Sequence, residues 1–375
     1  MAALVAQKTG RSARVVYDKD DDMRITGKRH GYRAEWSVGF DAEGTIEGLK
    51  VDLYSNGGAA ADLSLAVMER SMLHIDNAYF LPHAEISGRV CFTNFPPNTA
   101  FRGFGGPQAI AATENVIETI AQHLNIDAYA VRCRNLYGVG ERNVAPYGQI
   151  VGRNHLPEIV AQVAGASDYA ARRRDIAAAN ARSKTQLRGI ALTPVKFGIS
   201  FTTKFLNQGN ALVNVYIDGT IQVSTGGTEM GQGLNTKVRQ LVADEFGIAW
   251  QQVRVMATST EKNNTTSPTA ASAGTDLNGA AAVDACRQIK RRLSEFAARY
   301  FASAEAGLTE SPDHVRYEGG FVFDARRPDR RVAFGEITGH ARRDRVDLGA
   351  RGFYATPGVD LNRETGRGNP FLYYT

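Results

Sequence analysis

Phe101-Arg102-Gly103-Phe104-Gly105-Gly106-Pro107 sets a cation between two aromatic rings and then opens a helix. An arginine offers a planar fork of donors to an oxygen-rich group. Two rings can sandwich a flat one, and glycines let the backbone approach a ligand closely. Pro107 suits a first helical position because it has no amide hydrogen to lose there. Two other stretches share this construction. "GGTEMGQGLNTK" runs from Gly226 into a helix, and "TSPTAASAGTDLNGAAAV" runs from Thr266 into a longer one. Each brings backbone N–H groups to a helix start, where unsatisfied donors and the helix dipole favour an anion. A single loop of this kind is common; three in one chain point to an extended, anion-bearing cofactor. None has P-loop spacing or the strand–loop–helix setting of a dinucleotide fingerprint. The competing reading is that both rings are core and Arg102 pairs with a carboxylate, and the residues alone leave both open.

The elements that must position these loops are a mixture of hairpins and helices. "AEWSVGF" and "TIEGLKVDLY" flank "DAEG" as a hairpin, and "NALVNVYIDGTIQVSTGG" is a second one about an Asp-Gly turn. "SNGGAAADLSLAVMERSMLH" reads as a Gly-rich loop entering an apolar helical or irregular stretch, and "AEISGRVCFTN" as a strand. From Pro107 to Leu124, Ile110, Val116, Ile117, Ile120 and Leu124 recur at helical spacing. "DAYAVRCRNLY" is a helix with Asp127 as its N-cap. The Ala/Arg-rich stretch from about Glu158 to Arg188 reads as a connecting helix near a domain border. "NTKVRQLVADEFGI" is an amphipathic helix and "VRVMATST" a strand. "AAAVDACRQIKRRLSEFAARYFA" is a long helix with Val283, Cys286, Ile289, Leu293 and Phe296 on one face. This mix predicts an α+β fold of mixed hairpin sheets with packed helices rather than a doubly wound parallel sheet.

Composition narrows the classes. With 375 residues and 43% apolar residues, the chain can bury a sizeable core. The net charge of +5 is not concentrated in any run, which argues against nucleic acid. No apolar run is long enough to span a membrane, and the start does not read as a signal peptide; the expectation is a cytoplasmic protein. Cys91, Cys133 and Cys286 are scattered without metal-ligand spacing and are expected to be buried free thiols.

The segments "MERSMLH", "TNFPPNTAFRGFGGPQ", "LTPVKFGISFT", "FLNQGNALVNVYIDGTIQVSTGGTEMGQGLNTKV", "TTSPTAASAGTDLNGAA" and "GFYATPGVDLNRETGRGNPF" together resemble the molybdopterin-binding portion of the xanthine dehydrogenase/aldehyde oxidase family. The likeness covers almost the whole chain. It implies parts of two consecutive molybdopterin-binding domains, 1–154 and 155–375. It implies a molybdenum-molybdopterin cofactor and hydroxylation of a purine such as xanthine or hypoxanthine, with iron–sulfur clusters and FAD on other domains or subunits. By the same resemblance, Phe101 and Arg102 lie beside the molybdenum, Phe104 stacks on the purine, and Phe201 with Thr202 forms its edge-on wall. Arg70 orients the purine oxygens and stabilises negative charge in the transition state. Met230, Gly231 and Gln232 contact the pterin. Ala270, Ala271 and Ser272 let the cofactor approach, with Arg102 and Ala271 in the molybdenum environment. His74 reads as a core histidine rather than a proton carrier.

The chain departs from the family's pattern in two ways. Gly274 stands where a serine is common. The segment carrying the general-base glutamate, and an earlier loop whose glutamate contacts substrate, do not occur in it, so the chain is expected to be an internal fragment that is inactive alone. The expected partners are then a purine substrate, the rest of the molybdenum subunit and the iron–sulfur/flavin domains. An aldehyde oxidase-type hydroxylase and an inactive remnant are the alternatives; Arg70 argues against the former, because aldehyde-oxidising relatives tend to lack it.

Overall fold

Residues 1–259, 261–262, 266–304 and 310–373 are described by a computed structural model. The chain divides into two compact units, Met1–Gly198 with Tyr373–Thr375, and Ile199–Leu372.

In the first unit, helices α1 (Ala2–Thr9) and α2 (Lys19–Ile25) precede a three-stranded sheet of β1 (Tyr32–Phe40), β2 (Ile46–Gly58) and β3 (Ala84–Phe92), in that order. β1 pairs antiparallel with β2, from Tyr32 opposite Ser55 to Phe40 opposite Ile46. The expected turn lies between them: the Asp41 carboxylate accepts from the amides of Glu43 and Thr45 at 3.0 and 2.7 Å, a local side-chain turn that asparagine and aspartate favour. β2 runs further than the sequence suggests. Asn56–Gly58, expected as loop, forms its last rungs, because glycines permit a close approach: a Cβ on Gly57 would sit 2.8 Å from Val90. The chain then crosses through α3 (Ser64–Met72) to β3, parallel to β2. α4 (Gly106–Leu124) and α5 (Ala128–Asn135) pack Val116, Ile117, Ile120 and Val131 against Leu49, Val51 and Leu53 of β2. Asp127 caps α5, accepting from the Tyr129 amide at 2.9 Å. The Ala/Arg-rich stretch is two helices, α6 (Leu156–Ala166) and α7 (Tyr169–Arg182), broken where Asp168 takes a φ of 50°.

In the second unit, β4 (Gln208–Val215) and β5 (Ile221–Thr225) form the expected hairpin, with Gly219 at φ 81° in the turn. α8 (Leu234–Phe246) crosses to the short β6 (Val253–Val255), parallel to β5. The 25-residue α9 (Ala280–Ala304) opens with a wider π turn, Thr275–Gly279. On it Cys286, Ile289, Leu293 and Phe296 are buried, as their spacing predicts, against Val213, Val223 and Val242, while Val283, expected on the same face, is half-buried. β7 (Val315–Glu318), β8 (Phe321–Asp324) and β9 (Val332–Ala333) make a small sheet beside α10 (Phe334–Arg343). β10 (Gly349–Ala355) returns to pair antiparallel with β4 and completes the order β10-β4-β5-β6. A last ribbon joins β11 (Asp360–Asn362) to β12 (Arg367–Asn369). Mixed sheets with helices packed on them make the fold α+β, as expected.

The cysteines correct one expectation. Only Cys286 is buried; Cys91 and Cys133 are exposed, the first on the outer strand β3 of its sheet and the second on a solvent-facing turn of α5. Among the described residues, no helix is long and apolar enough to cross a membrane.

Candidate functional site

In the first unit, the Phe101–Pro107 loop is built by backbone geometry that few side chains tolerate. Gly103, Phe104 and Gly105 have φ of 92°, 50° and 94° in succession, the left-handed region open to glycine and costly for a phenylalanine. The loop closes on itself through Phe104 N–H to Phe101 O at 2.8 Å and Gly106 N–H to Gly103 O at 3.0 Å. It is seated on α3, where the Ser71 hydroxyl donates to the Gly105 carbonyl at 3.0 Å. A Cβ on Gly106 would stand 2.7 Å from Phe197. Phe101 is 52% exposed, so it is not a core ring. The Arg29 guanidinium lies 4.5 Å from the centre of that ring and donates to the Arg102 carbonyl at 2.6 Å. Arg102 is exposed, and its side chain makes no hydrogen bond or ion pair among the described residues.

Arg70, on the same helix as Ser71, is 2% exposed. Its Nη1 donates to the Gly198 carbonyl at 2.8 Å, and the guanidinium lies 5.8 Å from the centre of the Phe197 ring. Burial pushes the guanidinium down to about 10, so it remains a cation at neutral pH. His74, one turn on, is buried and serves both ends of this arrangement. The Gly198 N–H donates to its Nε2 at 3.1 Å, which leaves Nδ1 to carry the proton and donate to the Arg70 carbonyl at 3.0 Å. Burial, then the neighbouring Arg70 and Lys196 cations, hold the imidazole well below its ordinary range. It is the core histidine the sequence suggests, with a holding role that sequence could not give.

The segment that supplies Gly198 is anchored by a buried ion pair, which sequence reasoning missed. Lys196 Nζ lies 2.8 Å from Asp76, and both side chains are at most 2% exposed. The Tyr137 hydroxyl donates to the same carboxylate at 2.6 Å. Burial works against the Lys196 ammonium, and Asp76 together with Tyr373 more than offsets it, holding its pKa above the usual lysine range. A pair this deep survives only with such extra hydrogen bonds. The only sequence signal was an Asp and a Lys inside otherwise apolar surroundings.

In the second unit, the "GGTEMGQG" loop is organised by Glu229. Its carboxylate accepts from the amides of Gly231, Gly233 and Asn235 at 2.9, 3.0 and 3.0 Å, and these contacts, led by Asn235, hold its pKa below the usual range. This corrects the expectation that the start of α8 offers free N–H groups, for a carboxylate of the chain itself takes three of them. Met230, 65% exposed, and Gly231, with open space around its Cα, face outward. Gln232 braces the loop, with Oε1 accepting from Met230 N–H at 2.6 Å and Nε2 donating to Thr228 O at 2.8 Å. The Thr228 N–H then donates to Thr269 Oγ1 at 2.9 Å, which draws this loop against the Ala270–Ser272 turn. Ala271 and Ser272 have φ of 54° and 56°, and their N–H groups make no hydrogen bond among the described residues. Two small residues with open amides beside a Gly-rich loop fit a flat, anionic cofactor. At Gly274 a Cβ would meet nothing closer than Leu234 at 3.7 Å, so packing does not exclude a serine there. Phe201 and Thr202, both half-buried, sit on the loop before β4.

Two family models, each described as a molybdopterin cofactor-binding domain, match residues 1–136 and 162–375. The chain is 41% identical over 374 residues to xanthine dehydrogenase 1 of Arabidopsis thaliana, covering all of this chain and 25% of that protein. It is 40% identical over 378 residues to a nicotinate hydroxylase of Emericella nidulans, covering all of this chain and 26% of that one. The solved quinoline 2-oxidoreductase of Pseudomonas putida 86 superposes with a TM-score of 0.77 at 22% identity, over 94% of this chain and 46% of that one. The chain thus spans about a quarter of the length of the curated relatives it matches. It belongs to the molybdopterin cofactor-binding family to which the xanthine dehydrogenases also belong, and its cofactor is a molybdenum-molybdopterin.

Proposed function

We propose, from that membership, that the chain supplies part of the cofactor and substrate site of a molybdenum hydroxylase acting on a flat, electron-poor heteroaromatic of the purine class. The border near residue 155 is proposed as the seam between two family domains, in the gap between the matched segments 1–136 and 162–375. The observation that carries the cofactor reading is the pairing of the Gly-rich loop with the Ala270–Ser272 turn through Thr228 and Thr269. Bound, a molybdenum-molybdopterin would supply oxygen transfer to an electron-poor carbon and a two-electron sink. Met230, Gly231 and Gln232 would hold the pterin, with the open amides of Ala271 and Ser272 available to its polar groups. Taken residue by residue from the family resemblance, Phe101, Arg102 and Ala271 would belong to the metal's surroundings, Phe104 would stack on the substrate ring, and Phe201 and Thr202 would wall its edge.

Arg70 carries the substrate reading. Its guanidinium is buried yet still charged, so it is worth far more to a developing negative charge than an exposed cation is. Relatives about 40% identical over the whole chain that act by name on xanthine and nicotinate support a flat heteroaromatic substrate. The test is Arg70→Met in an enzyme completed with the remaining segments of the molybdenum subunit and loaded with cofactor, with purine and aldehyde turnover measured side by side. Loss of a preorganised charge contact costs about 2.7–4 kcal/mol, so purine turnover should fall about a hundred- to thousand-fold with aldehyde turnover little changed. Equal losses on both substrates would assign Arg70 to structure alone.

A further inference from the structure

Phe201 owes its place to two residues outside the set just described. Asn207 is 3% exposed, and its carboxamide spans the Phe201 backbone. Oδ1 accepts from Phe201 N–H at 2.7 Å, and Nδ2 donates to Phe201 O at 2.8 Å and to Thr203 O at 3.4 Å. Asn207 is held in turn by its own backbone, whose N–H donates to Lys204 O at 3.0 Å and whose carbonyl accepts from Thr356 N–H at 2.9 Å. One residue before the ring, Ser200 is fully buried with a φ of 93°. A serine holds that conformation only where its surroundings over-determine it. They do so here: its N–H donates to Ala271 O at 3.1 Å and its Oγ to Pro370 O at 3.0 Å. The backbone on one side of the aromatic ring is therefore tied to the small-residue turn, and the ring's own peptide groups are clasped by one side chain.

We propose that Asn207 and Ser200 are positioning residues that fix the Phe201 ring relative to the Ala271 turn, and that this fixed spacing selects flat rings over small aliphatic substrates. This rests on the functional reading above, in which Phe201 walls the substrate and Ala271 borders the cofactor. The geometry supplies its own logic. A wall along a substrate's edge discriminates by width only if it stands at a constant distance from the turn that seats the cofactor, and a loop free to shift by an ångström would admit both substrate classes.

Two measurements separate the clasp from the function. In the full chain, Asn207→Ala removes both hydrogen bonds to Phe201, so exchange of the Phe201 amide hydrogen should quicken about tenfold, the ordinary net worth of one such bond. Asn207→Ser is neutral and smaller, cannot span both Phe201 peptide groups, and should quicken exchange likewise, which covers the case in which the alanine variant fails to fold. In an enzyme completed with the remaining segments of the molybdenum subunit and loaded with cofactor, Asn207→Ser loses the clasp. It should raise KM for a purine about tenfold while leaving KM and kcat for a small aliphatic aldehyde unchanged. Unaltered exchange at Phe201 in both variants overturns the clasp. Faster exchange there, with equal kinetic change of Asn207→Ser on both substrates, overturns the selective role. Absence of purine turnover in the unmutated completed enzyme overturns the functional reading instead, and the exchange data still decide the clasp.

Discussion

His74 is neutral because three neighbours need it so. Its Nε2 must stay bare to accept the Gly198 N–H, and its Nδ1 must keep its proton for the Arg70 carbonyl. A second proton would break the first contact and place a buried cation beside Arg70 and Lys196, the charged groups that face it. The linkage has a definite sign. The folded-state pKa lies below the ordinary 6.5, so this residue's share of stability is intact above about pH 6.5. It is lost as pH falls from there toward the depressed value, at about 1.4 kcal/mol per unit of depression. His74→Gln keeps polar contacts without titrating. Its urea-unfolding midpoint, compared at pH 7.5 and pH 5, should therefore fall less than that of the parent chain. Equal falls would show that the acid sensitivity resides elsewhere.

At the scale of elements, the decisive contact is between β10 and α9. Gly352 lies so close to the helix that a Cβ would overlap the Ala281 carbonyl oxygen and come within 2.6 Å of the Ala285 amide. Both are backbone atoms of a long, rigid helix and cannot swing aside. Gly352→Ala should therefore cost about 1–3 kcal/mol, the usual price of overpacking a fixed site, seen as a lower denaturation midpoint with an unchanged slope. Elements such as these were legible in the sequence to the extent that their cause is local. α4 and α9 show their buried faces in three- and four-residue spacing, and the two hairpins announce themselves by Asp41 and by Asp218-Gly219. What was not legible depends on partners far along the chain. Gly198 meets Arg70 across 128 positions and His74 across 124, and nothing in "VKFGIS" states that its glycine peptide will serve both. The Asn207 clasp is short-range, but an asparagine before a strand is too common to read as a device. The residues proposed to hold the cofactor were named by family resemblance. Composition alone left Phe101 divided between core and ligand, and its exposure removes the core reading.

At the scale of the whole molecule, the chain leaves the first unit after Gly198 and returns to it at Tyr373. The two ends of the second unit are neighbours: Ile199 and Leu372 exchange both backbone hydrogen bonds, at 3.0 and 3.1 Å. That unit is thus drawn shut at its neck, its entry and exit paired to each other. A unit whose ends lie side by side is the kind that tolerates excision and transfer. It also carries its own core, from Val213 and Val223 to Ile289 and Leu293. Residues 199–372 expressed alone should therefore unfold in one cooperative transition. A broad, non-cooperative melt would show that this unit does not stand by itself. The arrangement also bears on inheritance. A segment that enters and leaves through one paired gate can be exchanged between related genes as a cassette, carrying the Phe201 loop, the Gly-rich loop and the Ala270–Ser272 turn together.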